Sequence, residues 1–234
     1  MNAPDESVRQ KSIWDLRTQA EILDRMGLDD EAVMVIHAGG TYGDKPAAME
    51  RWVRTYGELP EPARRRLVLE NDDIRFSAAD VLRIHERTGV RLVFDVQHHQ
   101  CLNPEGLPLL PTLERFLKTW PEGVRPKIHF SSPRTEMREV VRTDRRSGNK
   151  RTVLQAPVWT GHADFIHPFD FIRFANETTS SQFDIMLEAK AKDLALLRLR
   201  RDIASYAPAL AVRFEAAASA GLPAEIELAK EELE

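Results

Sequence analysis

The fold of this chain is constrained most by an alternation of short apolar runs with longer segments of helical periodicity. The apolar runs have the length of buried strands and lie at 33–36, 67–69, 91–94, 127–130 and 184–187. Strands that alternate with helices are typical of a parallel sheet, because each helix supplies the crossover between two neighbouring strands. The sequence therefore predicts an α/β fold with about five parallel strands and flanking helices.

The segments between the apolar runs carry the periodicity and the end signals of helices. In the first of them, residues 7–27, apolar side chains follow 3-4 spacing from Ile13 to Leu23, and Gly27 can end the helix. Further helices are predicted at 45–58, 77–88, 111–119, 168–176 and 189–206. A closed barrel of this type needs eight strands. Because the chain offers only about five, we expect either an open sheet or an incomplete barrel.

Residues that can bind metal ions stand at the ends of most of these apolar runs. The set comprises His37, Glu70, Asp95, His98, His129 and Glu188. The carboxyl ends of all strands in a parallel barrel face one mouth, so side chains distant in sequence converge there. Histidine, aspartate and glutamate are the ligands of divalent metals that catalyse hydrolysis. The pattern therefore predicts a metal site at that mouth.

Several of the polar residues have a structural alternative. A single histidine at a strand end is more often structural than a ligand, so no one residue carries the prediction alone. Asp72 and Asp73 could form a solvated loop, but an uncompensated acidic cluster is unfavourable without a cation, so the metal site is favoured. The arginines at 64–66 are predicted to be solvated. His99 is expected to point away from His98 if that segment is extended.

Bulk properties exclude few classes of function. Cys101 is the single cysteine, so no internal disulfide can form, which fits a reducing cytoplasm. No apolar run approaches the roughly 18 residues needed to span a bilayer, and the polar start of the chain does not have the pattern of a signal peptide. The net charge of −4 means that a nucleic-acid partner would need a local basic patch.

Five motifs, in order along the chain, resemble those of the UV damage endonucleases. They are Leu-Glu-Asn-Asp-Asp at 69–73, Phe-Asp-Val-Gln-His-His at 94–99, Pro-Lys-Ile-His-Phe-Ser at 126–131, His-Ala-Asp-Phe-Ile at 162–166 and Asp-Ile-Met-Leu-Glu-Ala-Lys at 184–190. Each motif is weak alone, and their order makes the resemblance specific. It implies a TIM-type (β/α) barrel, a cluster of divalent metals and incision of DNA immediately 5′ to ultraviolet photoproducts. This would be DNA repair of the nucleotide-excision type.

The resemblance also implies roles for individual residues. The implied metal ligands are His37, Glu70, Asp95, His98, His129, His162 and Glu188. Catalytic roles are implied for Glu70, Asp95, Glu188 and Lys127, and a lysine at a metal site must be neutral or carboxylated to tolerate cations. The implied cofactor is Mn²⁺, with about two to three ions and with Zn²⁺ or Mg²⁺ as alternatives. The implied substrate is double-stranded DNA that carries ultraviolet lesions.

The chain departs from the family pattern in two places. Family members carry three further βα units before the first helix, so we expect an incomplete barrel domain at 1–220 with impaired or lost activity. The second departure is a basic insertion at 134–153, between His129 and His162. Its cations Arg138, Arg142, Arg145, Arg146, Lys150 and Arg151 are predicted to bind DNA phosphates, and a disordered, solvated loop is the alternative. An acidic tail is predicted at 221–234.

Other functions stay open on sequence grounds. A metal-dependent sugar isomerase or epimerase on the same barrel would use the same strand-end ligands, because fold does not fix function. A non-catalytic remnant would keep the fold without turnover. The basic insertion favours the endonuclease, because a sugar enzyme gains nothing from it. The exposed sheet edges of an incomplete barrel also predict self-association.

Overall fold

The computed structural model describes residues 1–214 and 216, and this part of the chain divides into two compact units. The first unit comprises Met1–Phe130 and Thr179–Met186. The second comprises Ser131–Thr178 and the segment that begins at Leu187. The acidic tail predicted at 221–234 lies outside the described residues.

The first unit is built on a five-stranded parallel sheet that curls into a half-barrel. In sheet order the strands are β1 (Met34–His37), β2 (Leu67–Glu70), β3 (Arg91–Asp95), β4 (Lys127–Phe130) and β9 (Asp184–Leu187). These are the five strands that the apolar runs predict, and the incomplete TIM-type barrel is confirmed. The register sets His37 opposite Glu70 and Asp95 opposite His129, so these four residues share the carboxyl edge of the sheet.

The first unit also contains six helices in its described residues. They are α1 (Glu6–Arg25), α2 (Lys45–Glu58), α3 (Glu61–Arg66), α4 (Ala78–Thr88), α5 (Val96–Cys101) and α6 (Leu109–Leu117). Local signals fix their ends: Asp5 caps α1, Ser77 and Asp80 form a capping box for α4, and Gly89 ends α4 at φ 72°. The sequence did not predict α3 and α5, because helices of six residues are too short to show a period.

The centre of the sheet is buried on both faces. Every residue of β2 and β3 is buried, which explains why their sequences are continuous rather than alternating apolar runs. Val68 and Val93 pack with Trp120, and the rings of Phe94 and Phe116 meet edge to face at 5.0 Å. This packing holds the ends of β2 and β3 in place, and the candidate ligands start from those ends.

The prediction that Arg66 is solvated is wrong. Its side chain is 1% exposed, and its guanidinium donates to Asp24 Oδ1 at 2.6 and 2.9 Å. It also donates to the carbonyl oxygens of Leu28, Asp29 and Ala32 at 2.6 to 2.9 Å. A buried guanidinium is stable when its donors are all satisfied, and here it ties α3 to the chain that follows α1.

The second unit contains two small antiparallel ladders and three helices in its described residues. Strand β5 (Pro133–Arg134) pairs with β8 (Val158–His162), and β6 (Arg138–Thr143) pairs with β7 (Lys150–Gln155). The helices are α7 (Pro168–Glu177), α8 (Asp193–Tyr206) and α9 (Pro208–Ala211). The basic insertion is therefore an ordered β-hairpin. None of the helices in the described part of the chain is both long and apolar enough to cross a bilayer.

Candidate metal centre

Glu70, the last residue of β2, is surrounded by three of the predicted histidine ligands. His129 Nδ1 lies 2.8 Å and His98 Nδ1 3.5 Å from Glu70 Oε1, and His37 Nε2 lies 3.4 Å from Oε2. The Glu70 side chain is only 4% exposed, whereas that of His37 is 46% exposed. A buried carboxylate with imidazoles at both oxygens can be shared between two ions.

The ligand atoms of the first unit form two overlapping groups. Those of His37, Glu70 and His98 lie within 4.8 Å of one another, and those of Glu70, Asp95 and His129 also lie within 4.8 Å. Glu70 is common to both groups. The donors are carboxylate oxygens and imidazole nitrogens without a thiolate, and this set suits Mn²⁺, Mg²⁺ or Zn²⁺ better than a soft ion.

Asp95 and His98 are brought together by a helix start rather than by an extended strand. Asp95 ends β3 and caps α5, and its Oδ1 accepts a hydrogen bond of 2.6 Å from the His98 backbone N–H. Residues three apart in a helix share a face, so His98 Nδ1 comes within 3.8 Å of the same oxygen. The Asp-x-x-His spacing is therefore a capping geometry that places two ligands side by side.

His99 differs from the expectation because its segment is helical. Its Nε2 lies 3.0 Å from the Leu107 carbonyl oxygen, and its ring packs at 5.1 Å from that of Phe94. Burial lowers the pKa of His99, and the Leu107 carbonyl opposes that shift. His99 therefore has a structural role, and neither ligand group of the first unit includes it.

Asn71 connects the ends of β2 and β3 directly behind the ligands. Its Oδ1 accepts from the Asp95 N–H and its Nδ2 donates to the Asp95 carbonyl, both at 3.0 Å, in a fully buried position. Its own carbonyl oxygen lies 2.9 Å from His98 Nδ1. A carbonyl only accepts, so this contact is a hydrogen bond when His98 carries its proton on Nδ1.

Asp72 has a local structural role. Its Oδ1 accepts from the N–H of Ile74 at 2.9 Å, from that of Phe76 at 3.0 Å, and from that of Arg75. This is an Asx-type turn that shapes the loop after β2. Neither ligand group of the first unit includes Asp72 or Asp73, and a role for these two aspartates at the metal site stays a prediction.

The second unit brings its two predicted ligands together. His162 ends β8, and its Nδ1 lies 3.5 Å from Glu188 Oε2, with both side chains partly exposed. The two segments run side by side, because Lys190 N donates to the Ala163 carbonyl oxygen at 3.1 Å and Ala163 N donates to Ser132 at 2.8 Å. This pairing supplies one imidazole and one carboxylate.

The structure does not bring Lys127 to the Glu70 ligands. Lys127 opens β4, and its Nζ lies 3.3 Å from Asp184 Oδ2 and 3.6 Å from Glu31 Oε2. Asp184 opens β9 and Glu31 precedes β1, so this ion pair lies at the amino ends of the strands, opposite the ligands. The position predicted for Lys127 therefore differs from the structure, and its catalytic role stays a prediction.

The six basic residues of the insertion divide into two classes. Arg138 is paired with Glu136 at 2.6 Å and with Asp164 at 2.9 Å. The other cations are exposed, and in the described part of the chain none of them forms an ion pair; they are Arg142, Arg145, Arg146, Lys150 and Arg151. Arg138 thus anchors the hairpin, whereas the others are available to an anion.

Comparison with known proteins gives a consistent result. The family model described as UV-endonuclease UvdE matches residues 1–215. The UV DNA damage endonuclease of Bacillus velezensis is 32% identical over 209 residues, which are 87% of this chain and 58% of the relative. That of Bacillus mycoides is 33% identical over 202 residues, or 85% and 57%. The crystal structure of SacUVDE matches with a TM-score of 0.67 at 34% identity, over 83% of this chain and 58% of that chain. The chain thus spans less than two thirds of the length of these proteins.

Proposed function

Because this chain belongs to the UvdE family of UV endonucleases, we propose that it is a divalent-metal-dependent endonuclease. The proposed reaction is hydrolysis of the phosphodiester immediately 5′ to an ultraviolet photoproduct in double-stranded DNA. The observation that carries the proposal is the position of Glu70, which is buried, lies within 3.5 Å of three histidines and is common to two ligand groups.

Hydrogen bonds within the protein orient the candidate metal ligands. When bound, divalent ions lower the pKa of a water molecule and neutralise charge on the phosphate. Glu70 belongs to both groups of ligands, and two buried hydrogen bonds with Asn71 fix the orientation of Asp95. In the second unit, His162 and Glu188 form a separate pair of one imidazole and one carboxylate. We propose Mn²⁺ as the ion, with Zn²⁺ and Mg²⁺ as alternatives that the same donors accept.

The UvdE match favours the endonuclease over the sugar isomerase or epimerase. The exposed cations of the insertion support the same choice, because a small neutral sugar has no charge for them to bind. A non-catalytic remnant would have the same fold and the same ligands as the endonuclease. Only a measurement of turnover distinguishes the two.

Nicking of supercoiled plasmid separates these functions. Ultraviolet-irradiated plasmid with Mn²⁺ is expected to be nicked at sites immediately 5′ to photoproducts, while unirradiated plasmid stays closed. A chelator is expected to abolish nicking, and added Mn²⁺ to restore it, because the water-activating charge is removed and returned. Equal nicking of irradiated and unirradiated plasmid would contradict lesion specificity. No nicking by the Mn²⁺-loaded chain would support the non-catalytic remnant.

We also propose that the chain self-associates through a sheet edge. In the described sheet β1 is an edge strand, and Val35 on it is 37% exposed. Unpaired backbone groups on an edge invite pairing with another strand, and a lysine on the edge opposes it. Sedimentation velocity is expected to show dimers of the wild type and a shift towards monomer for Val35→Lys. A wild-type monomer at all concentrations would contradict this proposal.

A further inference from the structure

The hairpin of β6 and β7 carries a pair of like charges directly opposite each other. Six cross-strand pairs run from Arg138 opposite Gln155 to Thr143 opposite Lys150, and Arg142 is opposite Arg151. Side chains of a directly opposed pair share one face and are close, so two guanidiniums there destabilise the ladder. Their presence is therefore not explained by the folding of the hairpin.

The tip of the hairpin is held in one conformation. Asp144 Oδ1 accepts from the backbone N–H of Arg146 at 2.9 Å and from that of Ser147 at 2.8 Å, and these bonds lower the pKa of Asp144. Gly148 takes φ 71°, which a glycine tolerates without strain. Asp144 is the only carboxylate between residues 142 and 151, and it forms no ion pair with a cation in the described part of the chain.

These cations contrast with other basic residues of the described chain. Arg9, Arg66 and Arg87, for example, each contact at least one carboxylate within hydrogen-bonding distance. By contrast, the hairpin concentrates five unpaired cations on a narrow ribbon, in a chain whose net charge is −4. A ribbon with this charge is complementary to a polyanion with regularly spaced charges.

The base of the hairpin is tied to the segment that carries a predicted ligand. Arg138 pairs with Asp164, which lies two residues after His162, and His162 contacts Glu188. Six residues of a strand span roughly 20 Å at about 3.3 Å per residue. Duplex DNA rises about 3.4 Å per base pair, so the tip would reach about six base pairs along a duplex from the base.

We propose that this hairpin is a DNA arm whose cations bind the backbone phosphates of a duplex. The arm comprises Arg142 and Arg151 on one face and Arg145, Arg146 and Lys150 at and beside the tip. Phosphate contacts carry no sequence information, so the arm would hold the duplex without selecting bases. The identity of the polyanion rests on the proposed function, but binding by the arm does not require catalysis.

Salt-dependent binding to an undamaged 30-base-pair duplex tests the arm without a nicking assay. Arg142→Gln with Arg151→Gln, and separately Arg145→Gln with Arg146→Gln, are each expected to weaken binding roughly tenfold and to lower the salt slope by about two. The matched control is Arg64→Gln with Lys118→Gln, which removes two exposed cations that form no ion pair among the described residues. It is expected to bind as the wild type does.

The outcomes distinguish the arm from the enzyme. Hairpin variants that keep the wild-type affinity and salt slope would overturn the arm whatever the nicking assay gives, and so would an equal loss in the control. A lower salt slope of DNA binding in the hairpin variants but not in the control variant would support the arm, even if the chain never nicks DNA. The thermal stability of the Arg142→Gln, Arg151→Gln variant is expected to stay at or above that of the wild type, because Arg142 and Arg151 repel each other.

Discussion

Glu70→Gln is expected to lower the rate of nicking by more than about 100-fold and to weaken Mn²⁺ binding by a similar factor. The amide keeps the shape of the side chain but removes the charge that both ligand groups share. Changes to groups that only orient a ligand already cost about 10- to 100-fold, so loss of a shared ligand should cost at least as much. The fold should survive, because the uncharged amide is easier to bury than a carboxylate.

The measurement pairs nicking rates with a Mn²⁺ titration followed by electron paramagnetic resonance. Glu122→Gln is the matched control, since Glu122 is exposed and forms no ion pair in the described part of the chain. It should bind Mn²⁺ and nick DNA at the wild-type level. Wild-type Mn²⁺ affinity in Glu70→Gln would show that the ions bind elsewhere.

Asn71→Leu is expected to lower the free energy of unfolding by about 2–6 kcal/mol, because two buried hydrogen bonds to Asp95 are lost at about 1–3 kcal/mol each. The same change removes the constraint on Asp95, which in turn caps α5 and positions His98. Mn²⁺ affinity should therefore fall by about 10- to 100-fold, as for other groups that orient metal ligands.

A destabilised variant far from the ligands separates the two effects of Asn71→Leu. Leu82→Ala removes a buried side chain in α4, and a change of this kind costs about 2–5 kcal/mol. Chemical denaturation should give similar losses for both variants, whereas only Asn71→Leu should weaken Mn²⁺ binding. Equal Mn²⁺ affinities at equal loss of stability would mean that Asn71 supports the fold and does not position the site.

The sequence predicts the sheet and much of its carboxyl edge. Strands β2 and β3 are buried on both faces, so they read as continuous apolar runs, and the first polar residue after each apolar run marks the carboxyl end. Parallel register then brings Glu70 beside His37 and Asp95 beside His129, because all strands in such a sheet end on one side. The strands and the positions of these ligands can therefore be predicted from local sequence pattern and from the common direction of the strands in a parallel sheet.

The parts that sequence did not predict depend on partners distant in the chain. Lys127 pairs with Asp184, 57 residues away, and no local pattern indicates that contact. Arg66 is buried because four acceptor atoms converge on it from the end of α1 and the chain that follows. The segment from Asp95 to His99 starts a helix that the Asp95 side chain caps, and its six residues are too few to show helical periodicity in the sequence.

The central claim is that Glu70 and the residues around it hold divalent ions. The most direct test is anomalous diffraction from crystals of the chain soaked in Mn²⁺. We expect an anomalous peak bonded to the Glu70 carboxylate, with Asp95, His98 or His129 completing its shell. A saturating Mn²⁺ soak that leaves no peak at Glu70, while Glu70 remains hydrogen-bonded to His129, would contradict the account.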